Sequence, residues 1–180
     1  MLIVFSGLPG TGKTTVAKAL VIETGALYLR IDAIEQAIRS SGALAQDVGR
    51  SGYLVANGLA LSNLRLGATV IVDCVNPVIE SRLAWSEVAS EAGARLINVE
   101  VICSDVDEHR RRVETRQCDI PGLTPPTWQS VLEHEYEARA EARLCIDTAL
   151  TTPEQAVSMV TRHLQRRAHL STVDGRESLS

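Results

Sequence analysis

The sequence predicts an α/β fold of three layers, a five-stranded parallel sheet with helices on both faces. Three observations carry that expectation. Short apolar runs alternate with longer segments of helical period along the whole chain, the pattern of parallel strands joined by right-handed helical crossovers. One run, Ala68-Thr69-Val70-Ile71-Val72, is apolar on both alternating faces, as a strand covered by helices from both sides must be. A glycine-rich turn joins the first strand to the first helix.

Taken in order, the strands are expected near 2–6, 26–31, 69–73, 96–103 and 143–147. Helical period appears near 13–23, 33–40, 48–65, 77–92, 105–117, 126–141 and 153–167. Asp32, Asp105 and Thr152-Pro153 suit helix caps or first turns. Gly25, Gly67 and Gly93 each follow a helical run and precede a strand, the place of a residue that ends a helix. The apolar period fades in "HLSTVDGRESLS", so one domain is expected over 1–167 and a flexible tail over 168–180.

Composition narrows the function classes. A chain of 180 residues, 45% apolar and 22% charged, is of the size and make-up of one soluble domain. Its net charge of −4 argues against a nucleic-acid partner, which calls for a basic surface. Cys74, Cys103, Cys118 and Cys145 are far apart and form no Cys-x-x-Cys pair. With no secretory signal, they read as reduced thiols of a cytoplasmic protein. The first apolar run is a strand and falls well short of the roughly 18 residues that cross a bilayer.

Gly7-Leu8-Pro9-Gly10-Thr11-Gly12-Lys13-Thr14 fits G-x-x-x-x-G-K-[ST] at every fixed position. Glycines let the backbone wrap a polyphosphate with its N–H groups inward, and the helix that starts near Lys13 adds its positive end. Lys13 is expected at the β and γ phosphates, the Thr14 hydroxyl on Mg²⁺, and Thr15 within the same phosphate-binding set. Asp73 ends an apolar strand and is expected to hold the Mg²⁺ shell through water; the alternative is a local cap. The residues after it, Cys74-Val75-Asn76-Pro77, offer no base for a hydrolytic water. No Asn-Lys-x-Asp or Leu-Ser-Gly-Gly-Gln motif occurs either. Transfer to an acceptor is therefore favoured over hydrolysis.

A hydroxyl acceptor profits from a carboxylate that takes its proton. Asp32 follows the second strand, at the carboxyl edge of the sheet where open α/β folds bind ligands. The competing reading is that Asp32 caps the next helix. Within 40–63, Arg50, Tyr53 and Asn57 recur at roughly helical spacing as candidates for an acceptor pocket, or as an ordinary helix face. Arg112 and Arg116 share a helix face ahead of "QCDIPGLTPPTW", and a closing lid is expected over about 108–128. Their other reading is a solvated face paired with Glu108 and Glu114. His109, His134 and His163 show no ligand spacing, and Trp85 and Trp128 read as packing residues, with Trp128 also a candidate substrate contact.

These residues together resemble the small P-loop kinases of the adenylate-kinase-like type. That group includes shikimate, gluconate and adenylylsulfate kinases, chloramphenicol phosphotransferase and the kinase domain of polynucleotide kinase. The resemblance runs from 1 to about 167 and is shared with a bacterial group labelled predicted kinase or AAA-family ATPase. It rests on the glycine-rich loop, Asp32, Asp73, the arginines at 110–116 and the final "CIDTALTTPEQA". It implies a P-loop NTPase sheet of order 2-3-1-4-5 with a small helical lid. It further implies ATP and Mg²⁺ as cofactors, an adenine beside the segment after the last strand, and Arg110 flanking that adenine. The polynucleotide kinase pattern has arginine three residues after its catalytic aspartate, where this chain has Glu35. The arginine pair that nucleoside monophosphate kinases set against an acceptor phosphate has no clear counterpart, with Arg39 and Arg82 as candidates. The resulting expectation is an ATP-dependent phosphotransferase acting on a small hydroxyl compound, monomer or homodimer, with Asp32, Lys13, Arg112 and Arg116 catalytic. Its rivals are a nucleic-acid 5′-hydroxyl or nucleotide kinase, and a nucleotide-dependent regulator without an acceptor.

Overall fold

The structure is a computed structural model that describes residues 1–42 and 47–174, with side chains as far as Arg166. Five strands, β1 (Leu2–Ser6), β2 (Leu27–Arg30), β3 (Val70–Asp73), β4 (Leu96–Ile102) and β5 (Leu144–Asp147), form one sheet of order β2-β3-β1-β4-β5. Every neighbouring pair is parallel. The order and direction are those of a P-loop NTPase sheet.

Side-chain alternation sorts the core into two layers. Ile3 and Phe5 of β1 face a cluster with Val16 and Leu20 of α1 (Lys13–Thr24) and Val160 of α7 (Pro153–Asp174). Leu2 and Val4 face the other side, against Ala56 and Ala60 of α3 (Ser51–Arg65) and Trp85 and Val88 of α4 (Ile79–Glu91). All five residues of β1 are buried, which is why the strand reads as unbroken apolar sequence. The remaining helices are α2 (Ile31–Ser40), α5 (Val106–Thr115) and α6 (Trp128–Leu132).

Register places the functional edge. Phe5 and Arg30 both lie opposite Asp73, so the ends of β1, β2 and β3 deliver the glycine-rich loop, Arg30 and Asp73 to one rim. Asp105 caps α5 by accepting from the Glu108 amide at 3.0 Å. Thr152 accepts from the Gln155 amide while Gln155 accepts from the Thr152 amide, a reciprocal box ahead of Pro153.

Two elements depart from the periodicity. Helix over 126–141 is limited to Trp128–Leu132. Beyond it, the Glu137 amide donates to the Pro77 carbonyl at 3.0 Å. The buried Arg82 takes the carbonyls of Glu137 and Ala138 at 3.0 and 3.1 Å. Backbone groups that a helix would have paired internally are thus spent on α4 and its approach. At the other end, α7 continues to Asp174, past the point where apolar period fades. Residues 43–46, in the glycine-rich start of the 40–63 segment, and 175–180 of the expected tail lie outside the described residues.

Candidate active site

The loop Gly7–Thr14 leaves β1 and enters α1 at Lys13. Its glycines answer to space as well as to φ. A Cβ on Gly7 (φ 145°) would stand 2.2 Å from the Val101 carbonyl oxygen, and one on Gly10 (φ 85°) 2.5 Å from Val113 Cγ2. No side chain caps α1 and no acid stands in its first turn, which leaves its positive end open to an anion. Lys13 is buried, and among the described residues its Nζ reaches only the Leu8 carbonyl, at 3.4 Å.

A cavity of about 680 Å³ opens in front of this loop. Of the residues singled out in the sequence, Pro9, Gly10, Gly12, Lys13, Thr14, Thr15, Asp32, Arg112 and Arg116 reach its wall. Gly7, Leu8, Thr11, Asp73 and Arg110 do not, and neither do Arg50, Tyr53 and Asn57. Arg110 points away and pairs with Glu114 at 2.9 Å in solvent. Tyr53 is tied elsewhere, its oxygen accepting from the Asn76 amide at 3.0 Å.

Asp32 stands in the first turn of α2, whose N-cap is Arg30 with no side-chain cap bond. Its carboxylate therefore makes no capping bond and is one-third exposed to the cavity, 3.6 Å from Arg30 Nη2. Glu35, one turn on, lines the same wall. Burial pushes its pKa up, against the pull of Arg39 at 3.5 Å. Gly52 of α3 permits this arrangement, since a Cβ there would lie 2.4 Å from Glu35 Cγ.

Asp73 lies under the loop, with its Oδ2 accepting from Tyr28 at 2.8 Å and Arg30 Nε 3.9 Å away. Burial and the Asp73 charge raise the Tyr28 pKa, so the phenol stays a donor. The other oxygen, Oδ1, is buried without a hydrogen-bond partner among the described residues. An orphaned carboxylate oxygen at the strand end opposite Phe5, where the glycine-rich loop begins, fits a hydrated Mg²⁺, which prefers oxygen ligands and keeps part of its water. Cys74, next in sequence, is fully buried, and burial raises its thiol pKa well above neutrality.

Arg112 is fixed over the loop by several contacts. Its Nε donates to Glu108 at 2.8 Å, Nη1 to the Thr148 hydroxyl at 2.7 Å and Nη2 to the Thr148 carbonyl at 3.1 Å. Thr148 in turn donates to the Thr11 carbonyl at 2.7 Å. His109 adds a ring-nitrogen contact of 2.8 Å to the Pro9 carbonyl and an edge-on contact with Trp128 at 5.2 Å. Arg116 has no ion-pair or hydrogen-bond partner among the described residues.

Sequence reasoning missed Lys18, Arg30, Asp119, Thr148 and His134. Only Thr148 carried a signal, as part of the segment after the last strand. Arg30 reaches the site through sheet register, Lys18 from α1, and Asp119 and His134 along irregular chain. Arg82, a candidate for an acceptor phosphate, is instead a buried tie to 137–138, whereas Arg39 does line the cavity.

Comparison with known proteins places this geometry. The chain matches the AAA_33 model, described as an AAA domain, over residues 2–143, and it belongs to that family. No curated protein matches. Among solved structures it is similar to a candidate kinase from Chloroflexus aurantiacus, with 22% identity, TM-score 0.72, and 92% of this chain and 96% of that one covered. A gluconokinase from Sinorhizobium meliloti 1021 gives 23% identity and TM-score 0.66, covering 96% and 95%. An adenylylsulfate (APS) kinase from Mycobacterium tuberculosis, solved with AMPPNP and APS, gives 19% identity and TM-score 0.59, covering 89% and 95%. The shared fold is that of P-loop kinases.

Proposed function

We propose that this member of the AAA_33 family moves the γ-phosphate of ATP to a hydroxyl of a small molecule. The observation that carries the reading is the single cavity of about 680 Å³ onto which Lys13, Thr14, Asp32, Arg112 and Arg116 all open. That volume falls in the range of small-molecule sites, and phosphate-side and acceptor-side groups line the same space. The kinase neighbours support it at the level of the fold.

In this reading Lys13 and the loop amides bind the β and γ phosphates, and Arg112 and Arg116 face charge that spreads over the transferred group. The acceptor oxygen bonds to phosphorus as the bond to the β,γ-bridging oxygen breaks, ADP leaves, and Asp32 takes the hydroxyl proton on a carboxylate oxygen. Thr14 and, through water, Asp73 would hold Mg²⁺, which neutralises phosphate charge when bound. We take α5, α6 and the chain between them as the lid. The buried Cys74 thiol and the lack of an acid after Asp73 favour an alcohol over water as acceptor. Glu35 on the cavity wall disfavours a nucleic-acid end. No helix among the described residues is long and apolar enough to cross a membrane. A cytoplasmic setting, where ATP and reduced thiols coexist, goes with this reading.

The test is Asp32→Asn with γ-labelled ATP and a panel of alcohols. Label appearing as a phosphate ester with the wild type, and at least about a hundredfold more slowly with the variant, is the expected result.

A further inference from the structure

Arg30 ends β2 with its side chain 6% exposed, and among the described residues its guanidinium hydrogen-bonds to one group only. Nη1 donates to both carboxylate oxygens of Asp119, at 2.8 and 2.9 Å. Nε has no acceptor, and Asp32 and Asp73 stand back at 3.6 and 3.9 Å. Lys18 of α1 donates to Oδ2 of the same Asp119 carboxylate at 2.5 Å. The two cations belong to the sheet and to the helix behind the glycine-rich loop. Asp119 comes from the irregular chain between α5 and α6, and its side chain is 46% exposed. The seat is built into the frame; its occupant is lent by a loop.

Lys18 and Arg30 line two cavities, the one in front of the loop and a second of about 400 Å³ at the β2 edge, with Leu29, Ile34 and Leu59 on its wall. A ligand in the larger cavity can therefore reach the seat. We propose that Lys18 and Arg30 form an oxyanion seat for the acceptor, that Asp119 fills it in the free protein, and that the acceptor is a hydroxylated carboxylate or phosphate monoester that replaces Asp119. The inference rests on Asp32 acting as the acceptor-side base.

Three physical points support it. A buried guanidinium is costly to leave without an acceptor, and an oxyanion in place of Asp119 restores both its hydrogen bonds and its counter-charge. A carboxylate in place of Asp119 conserves the local charge, and a phosphate monoester would add negative charge beside two cations, Lys18 and Arg30. Charge-assisted bonds from arginine and lysine suit carboxylate and phosphate alike. Position adds the link to chemistry. One guanidinium spans from the seat to Asp32, so a hydroxyl a few bonds from the bound oxyanion meets the base.

The experiment is calorimetry with the glycine-rich loop saturated by Mg·AMPPNP, titrating D-glycerate, glycerol 3-phosphate and glycerol. Asp119→Ser should bind at least one of the two anions tenfold or more tightly than the wild type, with glycerol unaffected. The anion that gains more identifies the oxyanion. Lys18→Met, a change at an exposed side chain that keeps the proposal testable should the Asp119 variant not fold, should weaken the same anion at least tenfold. Anion affinity unchanged in either variant, or glycerol gaining as much as the anions, would overturn the seat. Asp32→Asn separates the two readings. It should bind the anion as the wild type does yet fail to phosphorylate it. Transfer at the wild-type rate would remove the base, and with it the link between seat and reaction, whatever the binding data show.

Discussion

Lys13 is a buried cation whose only acceptor among the described residues is a carbonyl at 3.4 Å, a long and weak contact for a desolvated charge. An anion at the loop relieves that cost, so Lys13→Ala should leave the fold intact and cut turnover by at least about a hundredfold, as removal of one transition-state donor does. Calorimetric binding of Mg·AMPPNP together with turnover checks it; both unchanged would remove Lys13 from the site. Arg116 lines the cavity with no partner among the described residues. Arg116→Ala should lower kcat more than it raises the KM for ATP, because the charge is wanted chiefly in the transition state. A wild-type kcat would return the residue to an ordinary solvated face. That both residues line the cavity follows the spacing of the loop and of α5. Spacing set Arg112 and Arg116 on one face of the helix, but the tie of Arg112 to Thr148 and the pairing of Arg110 with Glu114 left no mark in it.

At the scale of elements, α5 is held over the loop by Arg112, Thr148 and His109, and these contacts cross from β5 to α1. Thr148→Val removes the hydroxyl that receives Arg112 and donates to the Thr11 carbonyl. The expected outcome is a loss of about 1–2 kcal/mol in stability with a lower kcat, measured by denaturant unfolding and steady-state rates. Unchanged kcat would mean that the tie does not position Arg112 for turnover. Strands were the most legible elements: β1 and β3 are buried on both faces, and the sequence shows it directly. The helix expected over 126–141 was not, because the amide of Glu137 and the carbonyls of Glu137 and Ala138 answer to Pro77 and Arg82. Such long-range partners leave no local pattern. Asp32 shows the same limit. A cap and a first-turn acid look alike in sequence, and only the start of α2 at Ile31 decides between them.

For the whole molecule, the ion pairs that tie Asp119 to Lys18 and Arg30, and those of Glu108 within α5, make stability depend on acid. Bonds from Lys18 and Arg30 hold the Asp119 carboxyl well below the usual carboxylate range, and bonds from Arg111 and Arg112 bring Glu108 to about 2. Both shifts are depressions. Their contribution is fully present above the unfolded carboxylate pKa and is lost as pH falls through the folded values. Glu35, raised by burial, runs the other way and offsets part of the loss at the upper end of the window. The melting temperature should therefore fall from about pH 5 toward about pH 2, and less steeply in Asp119→Asn. Lys18 and Asp119 are each about half exposed, so added salt should shrink the difference, although the buried Arg30 limits that effect. Parallel curves for the two proteins would show that the Asp119 contacts add nothing to the acid dependence.

The central claim, transfer of phosphate from ATP to an alcohol with Asp32 as the base, is tested most directly by following γ-labelled ATP with wild type and Asp32→Asn. Asn keeps the shape of the side chain but cannot take the proton. The account predicts labelled phosphate ester with the wild type and a rate at least about a hundredfold lower for the variant. Affinity for Mg·AMPPNP should be the same in both. Label released only as inorganic phosphate whatever alcohol is offered, or a variant within a few-fold of the wild type, would contradict it.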